Sequence, residues 1–133
     1  ANIVPTTTGA AQATGRVLPV LDGIFDGMAM RAPIITGSIV DVMALVKRPT
    51  TIEEVNAIFQ KAAQSDELRS ILAVTNEPLV SSDIVGRSES TIVALPFTNV
   101  IDDDLVKVLA WYDNEWGFSN RFVEATIQMG TSI

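Results

Sequence analysis

Thr6-Thr7-Thr8-Gly9 has the residue types of a phosphate-binding segment at the start of a helical pattern. A helix N-terminus offers free N–H groups and a partial positive charge, both of which attract phosphate. The threonine hydroxyls add donors, and Gly9 lets an anion approach the backbone closely. An ordinary N-cap at Thr7 or Thr8 fits the same pattern, so both interpretations stay open.

Two further polar residues suit ligand recognition. Arg31 ends a predicted strand in an apolar stretch, where its guanidinium can clamp a phosphate, reach solvent or pair with Asp41. Asn114 follows another predicted strand, and its side chain can both donate to and accept from a ligand carboxamide. A simple turn would also suit Asn114.

An aromatic segment, Trp111–Glu124, surrounds Asn114 and contains both tryptophans and the single tyrosine of the chain. Polar residues separate its rings, and such residues are poor candidates for a core. They are Asp113, Asn114, Glu115 and Asn120. The segment predicts a strand end that turns into a helix, with amide and carboxylate groups on a rigid aromatic frame.

The elements that must position these residues follow from hydrophobic spacing. A capping box at Thr51 and Glu54 predicts a helix over 52–64. Shorter patterns predict a helix over 10–21 and a last helix capped by Ser119. Strands are predicted at 24–31, 36–46, 71–74, 80–81, 90–94 and 105–112. The fold class is therefore α+β, a largely antiparallel or mixed sheet with about three helices in a single domain, residues 1–133.

Composition narrows the chemistry. The chain has no cysteine and no histidine, so it carries neither a thiol nucleophile nor an imidazole base, and no metal site is expected. A net charge of −7 without a basic stripe disfavours nucleic acid. No apolar run reaches membrane-spanning length, and Asp102–Asp104 is predicted to be a solvated loop. No Gly-x-Gly-x-x-Gly occurs, so this chain contains no Rossmann fingerprint.

The run Trp111-Tyr-Asp-Asn-Glu-Trp-Gly117 closely resembles the C-terminal signature of the phosphorylating glyceraldehyde-3-phosphate dehydrogenase family. The stretches 2–11, 27–33, 80–83 and 106–108 fit the same family in the same order. The resemblance covers almost the whole chain. It implies the catalytic-domain fold of that family, without the nucleotide-binding domain.

The resemblance also implies roles for individual residues. Thr8 and Gly9 would bind inorganic phosphate or the phosphate of the substrate, and Arg31 would hold phosphate from the other side. Asn114 would hydrogen-bond the nicotinamide carboxamide, with Phe118 beside the ring. The cofactor would be NAD or NADP in the full-length parent, and none is expected to bind tightly to this fragment.

The family's nucleophilic cysteine, its histidine partner and its nucleotide-binding domain precede the segment that this chain matches. No catalytic residue is therefore assigned here, and the isolated chain is expected to be inactive. The resemblance further implies a cytoplasmic, glycolytic homotetramer acting on a small aldehyde phosphate and inorganic phosphate. The helix after Gly117 would pack on the missing nucleotide-binding domain.

Two alternatives stay open. Phe118 stands where glyceraldehyde-3-phosphate enzymes usually have tyrosine, and with the stretch 60–64 it resembles the erythrose-4-phosphate branch, whereas Tyr112 resembles the main branch. A stand-alone, non-catalytic binding or assembly module is the second alternative. The start at Ala1 without methionine favours a fragment.

Overall fold

The α+β class predicted from hydrophobic spacing is confirmed by the computed structural model, which describes residues 1–132. The strands are β1 (Val4–Thr7), β2 (Met28–Arg31), β3 (Ser38–Leu45), β4 (Leu72–Thr75), β5 (Thr91–Ala94), β6 (Asn99–Ile101) and β7 (Leu105–Tyr112). The helices are α1 (Ala10–Val17), α2 (Ile52–Ala63), α3 (Ser81–Ile84) and α4 (Trp116–Thr131), with 3-10 turns at Pro19–Leu21 and Leu95–Phe97. Two compact units divide the chain, Ala1–Ile35 and the residues from Thr36 onward, and each is described by itself. The single-domain organisation stays a prediction.

The first unit is a two-stranded ribbon with one helix. Strands β1 and β2 pair antiparallel, with Val4 opposite Arg31 and Thr7 opposite Met28. Among its described residues, Ala11 and Gly15 of α1 are buried. Most of its large apolar side chains are exposed, so the unit has little core of its own.

The second unit is built on a five-stranded mixed sheet. Its strand order is β3-β7-β5-β4, with β6 also paired to β7. Strands β4 and β5 are parallel, and the other pairs are antiparallel. Alternation along β7 buries Val106, Val108 and Ala110 on the face that packs against Val93 of β5 and Val55 of α2.

Helix α2 begins as the capping box predicts, because the Thr51 hydroxyl accepts the Glu54 N–H at 3.2 Å. The Glu54 carboxylate accepts hydrogen bonds from the Arg48 guanidinium and the Thr50 hydroxyl. Hydrogen bonds from Arg48 and then from Thr50 lower the pKa of Glu54 to about 2. Asp41 forms an ion pair with Lys107 at 3.0 Å.

Four local predictions were wrong. The strand at 80–81 is instead the start of α3, because the Val80 N–H donates to the Asp83 carboxylate at 2.8 Å. Helix α1 ends at Val17, just before Pro19, and its N-cap is Gly9 rather than Thr7 or Thr8. Helix α4 begins before Ser119, at Trp116.

Strands β1 and β6 were not predicted at all. Both are short, and Pro5 interrupts the strand pattern of β1.

Candidate functional site

Asp113 connects the sheet to α4 through a buried carboxylate. Asp113 is only 4% exposed, and its Oδ1 accepts the N–H groups of Glu115 at 3.0 Å and Trp116 at 2.8 Å. Its Oδ2 accepts the Gly86 N–H at 2.9 Å. The bonds from Trp116 and Gly86 lower the pKa of the Asp113 carboxyl, and burial opposes them only in part. The prediction that Asp113 is a poor core residue was wrong, because three backbone donors compensate its burial.

Asn114, the next residue, is exposed, as the family resemblance requires of a ligand-contacting side chain. The Ser38 hydroxyl donates to Asn114 Oδ1 at 3.2 Å. The β3–β7 register places Ser38 opposite Tyr112, two positions before Asn114. The backbone of Asn114 therefore lies beside a buried carboxylate, and its side-chain amide is joined to the start of β3.

Phe118 is the third residue of α4 and is 69% exposed. It stacks on Phe122 with ring centroids 6.3 Å apart. Behind them Gly117 is buried, and a Cβ there would lie 3.1 Å from the Glu89 carbonyl oxygen. The first turn of α4 therefore lies close to the segment that precedes β5, and its aromatic side chains are exposed.

Arg121 holds α4 to the segments on either side of β4. Its guanidinium donates to the Ser70 carbonyl at 3.0 Å, the Ser88 carbonyl at 3.4 Å and the Ser90 hydroxyl at 3.3 Å. It also forms an ion pair with Glu124 in the same helix. These contacts fix the helix that carries Phe118 relative to the second unit's sheet.

Thr8 and Gly9 lie in the first unit, where β1 leads into α1. The Thr8 hydroxyl oxygen accepts the Ala10 N–H at 3.2 Å, which leaves its O–H proton available to a ligand. A Cβ built on Gly9 would meet nothing within 4 Å, so neighbouring atoms do not require glycine there. An open hollow of about 550 Å³ adjoins this turn and is lined by Pro5, Thr6, Thr7, Thr8, Gln12, Asp26, Gly27 and Met28.

Arg31 lies at the opposite end of the ribbon from Thr8. It lies three positions along the strand from Met28, which corresponds to about 10 Å. Alternation places Arg31 on the same face as Ala29 and its partner Thr6. The ribbon itself therefore aligns Arg31 with Thr6 but does not bring its backbone next to Thr8.

The structure thus places the five candidate residues in two groups. Asn114 and Phe118 share the start of α4, and Thr8 and Gly9 share the start of α1 with Arg31 on the adjoining ribbon. Their ligand roles stay predictions. Sequence reasoning missed Ser38 and the capping role of Asp113. The spacing from Asp113 to Trp116, three residues before a helical pattern, was the available signal for the cap.

The other candidates add no site among the residues described. Asp102–Asp104 forms the predicted loop between β6 and β7, with Asp102 and Asp103 at φ of 49° and 62°. Within residues 1–132, no group of three or more histidine, cysteine, aspartate or glutamate residues is arranged to hold a metal ion. In the same part of the chain, none of the helices combines the length and apolar character needed to cross a membrane.

Comparison with known proteins gives consistent results. Residues 1–114 match the family model described as glyceraldehyde 3-phosphate dehydrogenase, C-terminal domain. The chain is 51% identical over 132 residues to glyceraldehyde-3-phosphate dehydrogenase 2 of Streptomyces avermitilis, covering 99% of this chain and 39% of that protein. It is 49% identical to the enzyme of Streptomyces coelicolor, again covering 99% of this chain and 39% of the relative.

The corresponding protein of Borreliella burgdorferi is 49% identical over 124 residues, which cover 92% of this chain and 37% of that protein. The chain therefore spans about two fifths of the length of these relatives. It belongs to the glyceraldehyde-3-phosphate dehydrogenase family and matches the family's C-terminal domain over residues 1–114.

Proposed function

We propose that this chain is part of an enzyme that oxidises glyceraldehyde 3-phosphate with NAD or NADP and inorganic phosphate to 1,3-bisphosphoglycerate. The reaction would pass through a thioester on a cysteine outside this chain, which phosphate cleaves. A bound nicotinamide would supply the hydride acceptor, and the residues of this chain would bind and orient it. Family membership supports the reaction class, and a cytoplasmic, glycolytic setting is proposed on the same basis.

The observation that carries the cofactor role is the exposed carboxamide of Asn114. It follows Asp113, whose carboxylate is anchored by three backbone N–H groups, and Ser38 holds its oxygen. A nicotinamide carboxamide has one carbonyl oxygen and one NH₂ group, and an asparagine side chain can satisfy either of them. An anchored amide fixes which face of the nicotinamide ring meets the substrate with little loss of entropy on binding.

The phosphate role is proposed for Thr8, Gly9 and Arg31. The free O–H of Thr8, the open space over Gly9 and the first-turn N–H groups of α1 that follow Ala10 all suit an oxyanion. Asp26 lines the adjoining hollow, and its carboxylate disfavours an anion there. We therefore propose that phosphate binds over Gly9 on the side away from Asp26, with Arg31 reaching it from the ribbon.

The partners we propose are the absent nucleotide-binding domain and further copies of the protein. Exposed apolar side chains support both proposals, because apolar surface of this extent usually contacts a partner. On α4 they are Trp116, Phe118, Phe122, Val123, Ile127 and Met129, and on the edge strand β3 they are Ile39, Met43 and Leu45.

The test is a comparison of two proteins, the full-length polypeptide and the 133-residue chain. With glyceraldehyde 3-phosphate, NAD and phosphate, the full-length protein should produce NADH, and omission of phosphate should abolish sustained turnover. The chain alone should give no NADH above blank, because it has neither cysteine nor histidine. A full-length protein that produces no NADH from any aldehyde phosphate would instead favour a non-catalytic binding or assembly module.

Phe118 supports a second candidate substrate, erythrose 4-phosphate. Its exposed ring lacks the hydroxyl that a tyrosine would offer beside the nicotinamide. Measuring kcat/KM of the full-length protein for both aldehydes separates the two enzymes. We expect the larger value for glyceraldehyde 3-phosphate, and a larger value for erythrose 4-phosphate would reverse the substrate assignment.

A further inference from the structure

Asn114 has only one side-chain partner from outside its own segment, among the hydrogen bonds of the described residues. That partner is Ser38, whose Oγ donates to Asn114 Oδ1 at 3.2 Å. An asparagine amide is symmetric in shape, and its oxygen and nitrogen exchange places when the terminal torsion turns by half a revolution. In the orientation that the structure has, Ser38 donates to Oδ1 and the NH₂ group points away from Ser38.

The position of Ser38 is itself well defined. Gly37, the preceding residue, is buried and has a φ of 88°, a left-handed conformation that glycine adopts readily. A Cβ on Gly37 would lie 3.2 Å from the Ser81 carbonyl oxygen, so the backbone that enters β3 packs closely on α3. Ser38 then pairs with Tyr112 at the first register position of the β3–β7 ladder.

The backbone of Asn114 is held in place by the preceding residue, Asp113. Asp113 accepts three backbone N–H groups, including that of Gly86, just after α3. Two contacts thus join the residue pair Asp113–Asn114 to the region of α3 and the start of β3. One contact holds the main chain, and the other orients the amide.

We propose that Ser38 is a positioning residue that sets the orientation of the Asn114 carboxamide for the nicotinamide. This proposal rests on the cofactor role proposed above for Asn114. Ser38 acts through Asn114 and does not itself touch the cofactor. The Ser38 hydroxyl keeps Asn114 Oδ1 on the side of Ser38. The second lone pair of that oxygen and the NH₂ group are then presented to the ligand carboxamide in a fixed orientation.

The experiment measures the Kd for NAD and the KM for glyceraldehyde 3-phosphate in the full-length protein. Ser38→Ala should raise the Kd for NAD by about 3- to 10-fold, the effect of one neutral hydrogen bond, and leave the aldehyde KM within about twofold. Ser38→Thr keeps a hydroxyl in a strand position and should restore the Kd to within about twofold of the unchanged protein. Ser82→Ala, which alters an exposed serine in α3, is the matched control and should change neither value.

A double variant identifies the route of the effect. Asn114→Ala should raise the Kd for NAD, and adding Ser38→Ala to it should produce no further increase, because the group that Ser38 orients is already absent. If the fold-increases in the Kd for NAD caused by Ser38→Ala and Asn114→Ala multiplied in the double variant, the positioning role would be overturned. Thermal unfolding of each variant gives a second control, and a loss of NAD affinity that follows only a lowered Tm would also overturn it.

Failure of the two proposals can be told apart. If Asn114→Ala weakens NAD binding and Ser38→Ala does not, the positioning role is wrong and the cofactor role of Asn114 stands. If Asn114→Ala leaves NAD binding unchanged, both are wrong.

Discussion

The two units of the chain differ in how they hold their candidate site residues. The unit from Thr36 onward has a core in which Ile84, Ile92 and Val93 are at most 2% exposed. The unit Ala1–Ile35 buries only Ala11 and Gly15 among its described residues. Asn114 and Phe118 therefore belong to a unit with a hydrophobic core, whereas Thr8, Gly9 and Arg31 lie on a ribbon and a short helix.

The two units therefore hold their candidate site residues by different kinds of contact. The proposed cofactor residues are held by contacts that the second unit makes within itself, including the hydrogen bonds to Asp113 and those of Arg121. The proposed phosphate residues rely on local turns, since isolated two-stranded ribbons are marginally stable in water. We therefore expect mutations to affect stability strongly in the second unit and ligand binding more than stability in the first.

The largest contrast is expected from one isoleucine in each unit. Ile84 is fully buried, and Ile84→Ala should lower the free energy of unfolding by about 2–5 kcal/mol through lost contacts and a cavity. Ile35 is fully exposed, and Ile35→Ala should change it by less than about 0.5 kcal/mol. Urea denaturation of the two variants measures both values. Equal losses would remove the contrast between the units.

Asp113→Ala should have the next largest effect on the second unit. It removes the acceptor for the Gly86, Glu115 and Trp116 N–H groups and should cost about 1–3 kcal/mol of unfolding free energy. Asp66→Ala is the control, because Asp66 has 93% of its side chain exposed and pairs only with Arg69 on the surface. If the two variants were equally stable, the buried carboxylate would not be an anchor.

A pH titration sharpens the role of Asp113 further. Its pKa is lower in the folded chain than in the unfolded chain, so its contribution to stability is present above the unfolded pKa, about 3.9. That contribution should be lost as pH falls through the lower, folded pKa. Asp113→Asn should flatten the fall in stability below about pH 4 relative to the unchanged chain.

Glu54 and Glu89 also have lowered pKa values, because hydrogen bonds from Arg48 and Arg87 respectively favour their charged forms. Their contributions are common to both proteins and cancel in the difference between the two stability curves. If the stability of Asp113→Asn and that of the unchanged chain fell identically at acid pH, the prediction for Asp113 would be contradicted.

A small effect on stability is also expected from Gly9→Ala. Gly9 has φ −84°, and an added Cβ meets open space, so the unfolding free energy should change by less than about 1 kcal/mol. The same methyl group would occupy the space proposed for phosphate and should raise the KM for phosphate in the full-length protein. Gly130→Ala, an exposed glycine near the end of α4 whose Cβ also meets open space, is the control. An unchanged KM for phosphate would remove Gly9 from the site.

Local patterns in the sequence predicted much of the second unit. Strand β7 has the predicted bounds, because its alternation reflects a real buried face, and α2 starts at the predicted cap. Asn114 was correctly placed at a strand end turning into a helix. The start of that helix was misassigned to Ser119, because the carboxylate that accepts its first N–H, that of Trp116, is buried, and hydrophobicity rules place carboxylates outside a core.

Long-range contacts escaped the sequence analysis for a different reason. Ser38 lies 76 positions from Asn114, and only the β3–β7 register brings them together. The Gly86 N–H that donates to Asp113 is likewise 27 positions away. Strand β1 was missed because Pro5 and two threonines give it no apolar alternation.

The most direct measurement is a cross-comparison of Asn114→Ala and Thr8→Ala in the full-length protein, with the Kd for NAD and the KM for phosphate determined for each. We expect Asn114→Ala to raise the Kd for NAD and leave the KM for phosphate near its original value. Thr8→Ala should do the reverse, because its hydroxyl lies on the other unit beside the start of α1. If each variant changed both constants equally, or if neither changed its own, the assignment of cofactor and phosphate contacts to separate units would be wrong.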